Sequence, residues 1–396
     1  MAESAPTTTA PRLLGPTAVG QTNRRRVLEL LHQNGPSSRA QLARALSVSR
    51  ATVATIVQPL IDDRTLVEGE PVAASPAGGK PARPLWFNSD GVELGAMRIS
   101  ATAVTVARMG MDGTIHQQGH GDLDPGAPID EVRTSLLELA SSCFEDRPLL
   151  GIGVAASGMV DTTEGVIISL HLAPVLNGFP LAAVLRRRFA TPVSVDHHPR
   201  VQALGDRWFG HGRHQPSFAS VYTGEALGFG IVYDGEIVRG VDGAGGEYGH
   251  TVVDMNGDEC MCGRRGCWET VATSGWLRRE ALRLGLPGAA GIDCATLTAM
   301  AGQRVPAAAE LLDRYARNLA IGMANNEHML GSGVYIMHGD VCAGGEAMRE
   351  RLQRWMVEYS PRRGVAPQVI LGDFGDEITL LGGGGLVLSS VLATAV

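Results

Sequence analysis

From Asn23 onward apolar residues recur every three or four positions: Val27, Leu28, Leu30 and Leu31 fit one helix face, which Asn34-Gly35-Pro36 brings to an end. Ser38 is placed to cap a second helix over 39–46, with Leu42, Ala43 and Leu46 facing inward. Ser49 is placed to cap a third over 50–61, with Val53, Ile56, Val57 and Leu60 inward. Segments 66–70 and 85–88 then read as strands. The loop between them has a basic tip, Gly78-Gly79-Lys80-Pro81-Ala82-Arg83. Three helices and a hairpin predict a winged helix-turn-helix over 22–88, preceded by a Thr/Pro/Ala-rich disordered arm at 1–21. The third helix turns Ser49, Arg50, Thr52 and Thr55 outward, residue types that reach phosphates and base edges in a major groove. With Arg39, Lys80 and Arg83 they form the candidate DNA-contacting set. The competing reading of the same pattern is a small helical module that docks on protein.

Beyond residue 91 the period alternates between two and 3.6. Strands at 94–99, 103–109 and 113–118 read as a meander, followed by a buried strand at 149–155. A helix at 181–189 and a strand at 193–195 lead into a helix at 201–208. A second meander follows at 220–222, 228–233 and 236–239. Helices at 274–284, 307–329 and 345–358 come next, with a strand at 334–337. Two meander-plus-helix units in tandem predict an α/β fold of two lobes over 89–396. The boundary falls near 195–200, and the ligand cleft lies between the lobes.

Charge sharpens this division. The chain of 396 residues carries −7 overall, yet residues 1–84 hold ten basic against six acidic side chains, leaving about −11 for the remainder. A small basic head on an acidic body suits a polyanion partner at the head alone. Lys80 is the only lysine. No secretory leader and no run of about 18 apolar residues is seen, so the expectation is a cytoplasmic chain that does not span a membrane.

The sharpest chemical signal is His250 followed by Cys260-Met261-Cys262-Gly263-Arg264-Arg265-Gly266-Cys267. One imidazole and three thiols within eighteen residues match a tetrahedral structural zinc site, one ion per chain. Such crowding suits metal in a reducing compartment better than a disulfide framework. The alternative is three reduced cysteines and an unrelated histidine. Cys143, Cys294 and Cys342 stand apart and read as packing residues.

Gly245-Gly246-Glu247-Tyr248-Gly249-His250, the cysteine loop and Cys267-Trp268-Glu269 closely resemble the signature of ROK proteins (repressors, open reading frames, kinases). The tip Gly78-Gly79-Lys80-Pro81 resembles the wing of ROK repressors, with lysine where arginine is usual. The resemblance spans about 22–395. It implies an actin-like, sugar-kinase-like ATPase fold, in a homodimer or homotetramer. It also implies that Glu247, His250 and Glu269 bind sugar hydroxyls, with His250 holding zinc through one ring nitrogen and facing the sugar with the other. The resemblance also places His171 where relatives have a sugar-binding asparagine.

Departures from the family pattern weigh against kinase chemistry. The resemblance places an Asn-Asp pair, the aspartate being the general base, where this chain has His197 and His198. The Asp-x-Gly-x-Thr phosphate loop is replaced by Met97-Arg98-Ile99-Ser100-Ala101, which has no magnesium ligand and no glycine for close phosphate approach. Glu225 in the second phosphate segment adds negative charge, where phosphoryl transfer needs cations. The resulting expectation is a repressor of sugar metabolism with no catalytic residues. It binds an inverted-repeat operator, and a sugar effector in the cleft, near His197 and His198 among others, controls it. The rivals are an ATP-dependent sugar kinase with a regulatory head and a repressor relieved by a protein partner.

Overall fold

In a computed structural model the described residues are 16–394, apart from 63, 73–81, 89–91, 244, 362–363 and 376. They divide into two compact units, Met1–Asp90 with Leu388–Val396, and Gly91–Val387.

The first unit contains α1 (Pro16–Asn34), β1 (Ser37–Ser38), α2 (Arg39–Ala45), α3 (Arg50–Asp62), β2 (Leu66–Glu68) and β3 (Pro84–Phe87). Val27, Leu28, Leu31, Leu42, Val53, Val57 and Leu60 are buried, whereas Leu46 and Ile56 are only half-buried. α1 begins seven residues before Asn23, so residues 16–21, assigned to a disordered arm, are helical. Pro16 stands in the first turn, where its missing N–H leaves no bond unmade. A capping box closes α2: Gln41 N donates to Ser38 Oγ at 3.4 Å, and Ser38 N donates to Gln41 Oε1 at 2.8 Å. The wing has one strand more than its pattern implied, because β1 pairs with β3 to give the order β1-β3-β2.

The second unit opens with β4 (Glu93–Ile99), β5 (Ala103–Met109), β6 (Ile115–Asp122), α4 (Ile129–Phe144) and β7 (Leu149–Ala156). A small hairpin, β8 (Met159–Asp161) and β9 (Val166–Ser169), precedes α5 (Leu181–Phe189) and β10 (Val193–His197). The second lobe runs α6 (His198–Trp208), β11 (Phe218–Thr223), β12 (Leu227–Tyr233), β13 (Glu236–Ile237), α7 (Glu269–Ala272), α8 (Ser274–Arg283) and α9 (Cys294–Gly302). Then come α10 (Pro306–Met329), β14 (Val334–Gly339), α11 (Asp340–Ala343), α12 (Gly345–Tyr359), β15 (Gln368–Leu371) and α13 (Glu377–Thr394), which belongs to this unit as far as Val387. The strand orders, β6-β5-β4-β7-β10 and β13-β12-β11-β14-β15, are the same topology twice: an antiparallel meander extended by two parallel strands. The helix expected at 201–208 starts three residues earlier, so His198 is its first residue and Pro199 sits in its first turn.

α6 and α13 touch backbone to backbone. A Cβ on Gly205 would lie 2.1 Å from Ile378 O, and one on Gly382 would lie 1.9 Å from Val201 O. Glycine is therefore required on both sides of this crossing. Among the described residues no helix is long and apolar enough to cross a membrane.

Candidate nucleic-acid interface, metal centre and effector cleft

Ser49 caps α3: Thr52 N donates to Ser49 Oγ at 3.0 Å, and the two hydroxyls meet at 2.9 Å. Thr55 Oγ1 donates one turn back to Ala51 O at 3.1 Å. All three side chains stay exposed, as do Arg50 and Arg83, which make no hydrogen bond or ion pair with a described residue. Arg39, of the same expected set, is already paired. Its guanidinium pairs with Glu68 of β2, so it ties α2 to the wing's sheet and its charge is largely offset. Lys80 lies outside the described residues.

Ligand atoms of His250, Cys260, Cys262 and Cys267 lie within 4.8 Å of one another. Cys262 Sγ is 3.6 Å from Cys267 Sγ, and Cys260 Sγ is 3.6 Å from His250 Nδ1. The two 3.6 Å spacings match the edges of a tetrahedron with metal–sulfur bonds of about 2.3 Å and a metal–nitrogen bond of about 2.0–2.1 Å, roughly 3.6–3.8 Å. The donor set therefore fits zinc. A tight turn makes the arrangement: Cys260 N donates to Arg264 O at 2.7 Å, and Gly266 N to Asp258 O at 2.9 Å. Gly266 has φ +70°, and a Cβ there would fall 1.6 Å from Asp254 O, so no other residue fits. Burial and then the neighbouring thiols push Cys267 up to about 12, whereas a backbone hydrogen bond from Arg264 holds Cys262 below the ordinary thiol value. Beneath the loop, buried Trp268 donates through Nε1 to Asn318 O of α10 at 2.7 Å. Cys143 and Cys294 are buried away from the cluster and Cys342 is half-buried.

Metal loop and candidate sugar ligands adjoin. His250 Nδ1 lies 3.7 Å from Glu269 Oε2, while Glu269 Oε1 accepts from Leu227 N at 2.9 Å, which ties the start of α7 to β12. Glu247 precedes the single 3-10 turn Tyr248–His250. It is exposed, and its carboxylate is bonded to no described residue. His198 packs edge-to-face on Tyr222 at 5.5 Å, with Nε2 3.4 Å from Thr379 Oγ1 of α13. His171 is exposed in the turn after β9, and no described contact joins it to the others. Met97 and Ile99, at the end of β4, are buried in the first lobe's core. Glu225 corrects its expected role: Arg278 donates to it at 2.7 Å, which offsets its charge and holds its carboxyl below the usual range. Sequence reasoning assigned no role to Asp196, Arg200 and Arg239, which form an ionic network under this site, buried at Asp196 and Arg200 and half-exposed at Arg239. The i,i+4 spacing of Asp196 and Arg200 on the chain was the available signal.

Burial, then the flanking Arg200 and His198, hold His197 down to about 3 from the ordinary 6.5. Between those values the unfolded chain binds a proton that the folded chain refuses. Stability is therefore full above pH 6.5 and falls as pH drops toward 3, by up to about 1.4 kcal/mol per unit. Urea unfolding at a series of pH values from about 7.5 to 5 measures the slope. His197→Gln is expected to flatten it, and an unchanged slope in that variant refutes the assignment.

These features define a winged helix-turn-helix joined to a duplicated, sugar-kinase-like α/β module with a Cys₃His cluster beside its candidate ligand residues. The chain belongs to the ROK family, whose model matches residues 91–389, and a winged helix-turn-helix DNA-binding model matches residues 21–64. It is 28% identical over 274 residues to the xylose repressor of Bacillus spizizenii, covering 65% of this chain and 67% of that one. It is also 28% identical over 284 residues to the glucokinase of Thermotoga maritima, covering 68% of this chain and 87% of the enzyme. In fold it resembles the crystal structure of a ROK family transcriptional regulator, a homologue of the E. coli MLC protein. The TM-score there is 0.80 at 24% identity, over 95% of this chain and 97% of that one.

Proposed function

We propose that this chain is a sequence-specific DNA-binding repressor of sugar metabolism, controlled by a sugar or sugar derivative that its cleft binds without phosphotransfer. One observation carries the reading. In a ROK chain with a winged head, His198, which the family resemblance sets at the place of the catalytic aspartate, packs against Tyr222 and Thr379. Met97 and Ile99, where a phosphate loop is expected, are core residues. Arg39, Ser49, Arg50, Thr52, Thr55, Lys80 and Arg83 serve as the DNA-facing set. A dimer or tetramer presents two such heads to an inverted-repeat operator in the cytoplasm. Glu247, Glu269 and the second ring nitrogen of His250 hydrogen-bond sugar hydroxyls, with His197 and His198 lining the same cleft. Zinc held by His250, Cys260, Cys262 and Cys267 fixes the tautomer and orientation of His250.

The test titrates D-xylose, D-glucose, N-acetylglucosamine and their phosphates into the complex of the full-length protein with a duplex it selects from random sequence. One sugar is expected to change operator affinity about 5–150-fold, the range of a coupling of about 1–3 kcal/mol. Glu247→Gln is expected to abolish that change while leaving sugar-free operator binding intact. The relationship to a glucokinase makes the enzyme the rival, and ATP-dependent phosphorylation of any of these sugars, lost in His198→Ala, refutes the reading. A response only to an added protein partner refutes the small-molecule effector.

A further inference from the structure

Residues 239–246 link β13 to Glu247, and all but Ala244 are described. Four of the eight are glycine, and three of those, Gly240, Gly243 and Gly246, have positive φ. Such a segment has little side-chain packing to hold it, so its shape depends on what its backbone groups meet. Two carbonyls meet one buried atom. Arg200 Nη1 donates to Gly243 O at 3.0 Å and to Gly245 O at 2.6 Å. Arg200 Nε donates to Asp196 Oδ1 at 2.6 Å. The other oxygen of Asp196 accepts from Arg239 Nε at 2.8 Å, and Gly245 N donates to Arg239 O at 2.9 Å. Arg200 and Asp196 are each 1% exposed. The clamp thus joins the end of β10, the first turns of α6 and both ends of the glycine loop.

A buried ion pair is a poor general stabiliser, because desolvation cancels most of its attraction; its distinctive capacity is to impose one geometry. Arginine alone supplies a rigid fork that serves a carboxylate and two carbonyls together. We infer that Arg200 is a positioning residue of the effector site: it fixes residues 239–246 so that Glu247 meets the ligand in one arrangement. The inference rests on the reading of Glu247 as a sugar ligand. Arg200 acts through Glu247 and does not itself touch the ligand.

Calorimetric titration of full-length protein with D-xylose, D-glucose and N-acetylglucosamine tests it, with zinc content and sugar-free operator affinity measured alongside. Arg200→Met is expected to retain zinc and operator binding while its sugar Kd rises about tenfold or more. Arg200→Lys, which keeps the charge but loses the fork, is expected to fall between, and it carries the test if Arg200→Met does not fold. In a Glu247→Gln background Arg200→Met is expected to add less than about twofold, since the route through Glu247 is already gone. A purely structural role lowers the melting temperature without moving the sugar Kd, and that outcome overturns the inference. So does a full additive loss in the double variant. Wild-type protein that binds no sugar overturns the effector reading itself. Wild type that binds, with loss in Glu247→Gln and none in either Arg200 variant, overturns the role of Arg200 alone.

Discussion

Cys267→Ser is expected to abolish stoichiometric zinc and, with it, the response to sugar. Cys267 is fully buried, bridges in register to Val252 and precedes Trp268, whose indole anchors the loop on α10. Serine supplies a hard, protonated oxygen where a thiolate is needed, leaving two thiols and one imidazole. Structural zinc contributes roughly 10–16 kcal/mol of apparent binding energy in isolated zinc-finger peptides, all of it coupled to folding. Here the loop is braced by the surrounding lobe, so local unfolding of 250–267 is expected before global unfolding. With the ion lost, His250 Nδ1 is left beside Cys260 Sγ at 3.6 Å and Glu269 Oε2 at 3.7 Å, and its ring orientation is no longer imposed by a metal bond. Elemental mass spectrometry is expected to find one zinc per wild-type chain and well under one in Cys267→Ser. Cys143→Ser, buried in the first lobe, serves as the matched control and is expected to leave the count unchanged. Wild-type protein purified without added chelator that carries no metal removes the basis for this expectation.

How far the fold was readable from sequence depended on whether the signal was local. The winged head announces itself because Val27, Leu28, Leu31, Leu42, Val53, Val57 and Leu60 keep a helical period and are all buried. The four candidate ligands are close in sequence and converge in space for the same reason. α4 carried a readable period in Val132, Leu136 and Ala140 that went unused. β1 is two residues long, and only its partner Pro84–Leu85 makes it a strand, so no pattern within it could announce it. The clamp on Arg200 was half visible. Asp196 lies four residues earlier in the chain, but the carbonyls of Gly243 and Gly245 lie more than forty residues on, in a segment that glycine leaves free of periodicity. α13 is the extreme case. Gly382–Gly385 argues against a helix, each glycine costing about 1 kcal/mol relative to alanine, yet tertiary contact overrides the propensity.

That override predicts opposite signs for one chemical change. Gly205→Ala is expected to destabilise by about 1–3 kcal/mol or more, even though alanine is the better helix former. Its methyl would sit 2.1 Å from Ile378 O, and a backbone carbonyl, unlike a side-chain tip, has no rotamer by which to retreat. α13 would have to move off α6, and α6 starts at His198, so the sugar response is expected to weaken together with stability. Gly20→Ala in α1, where nothing lies within 4 Å of the added carbon, is expected to stabilise by up to about 1 kcal/mol. Thermal unfolding of both variants beside wild type checks the pair. If Gly205→Ala gains stability as Gly20→Ala does, the helices do not cross on bare backbone, and the glycines of α13 need another explanation.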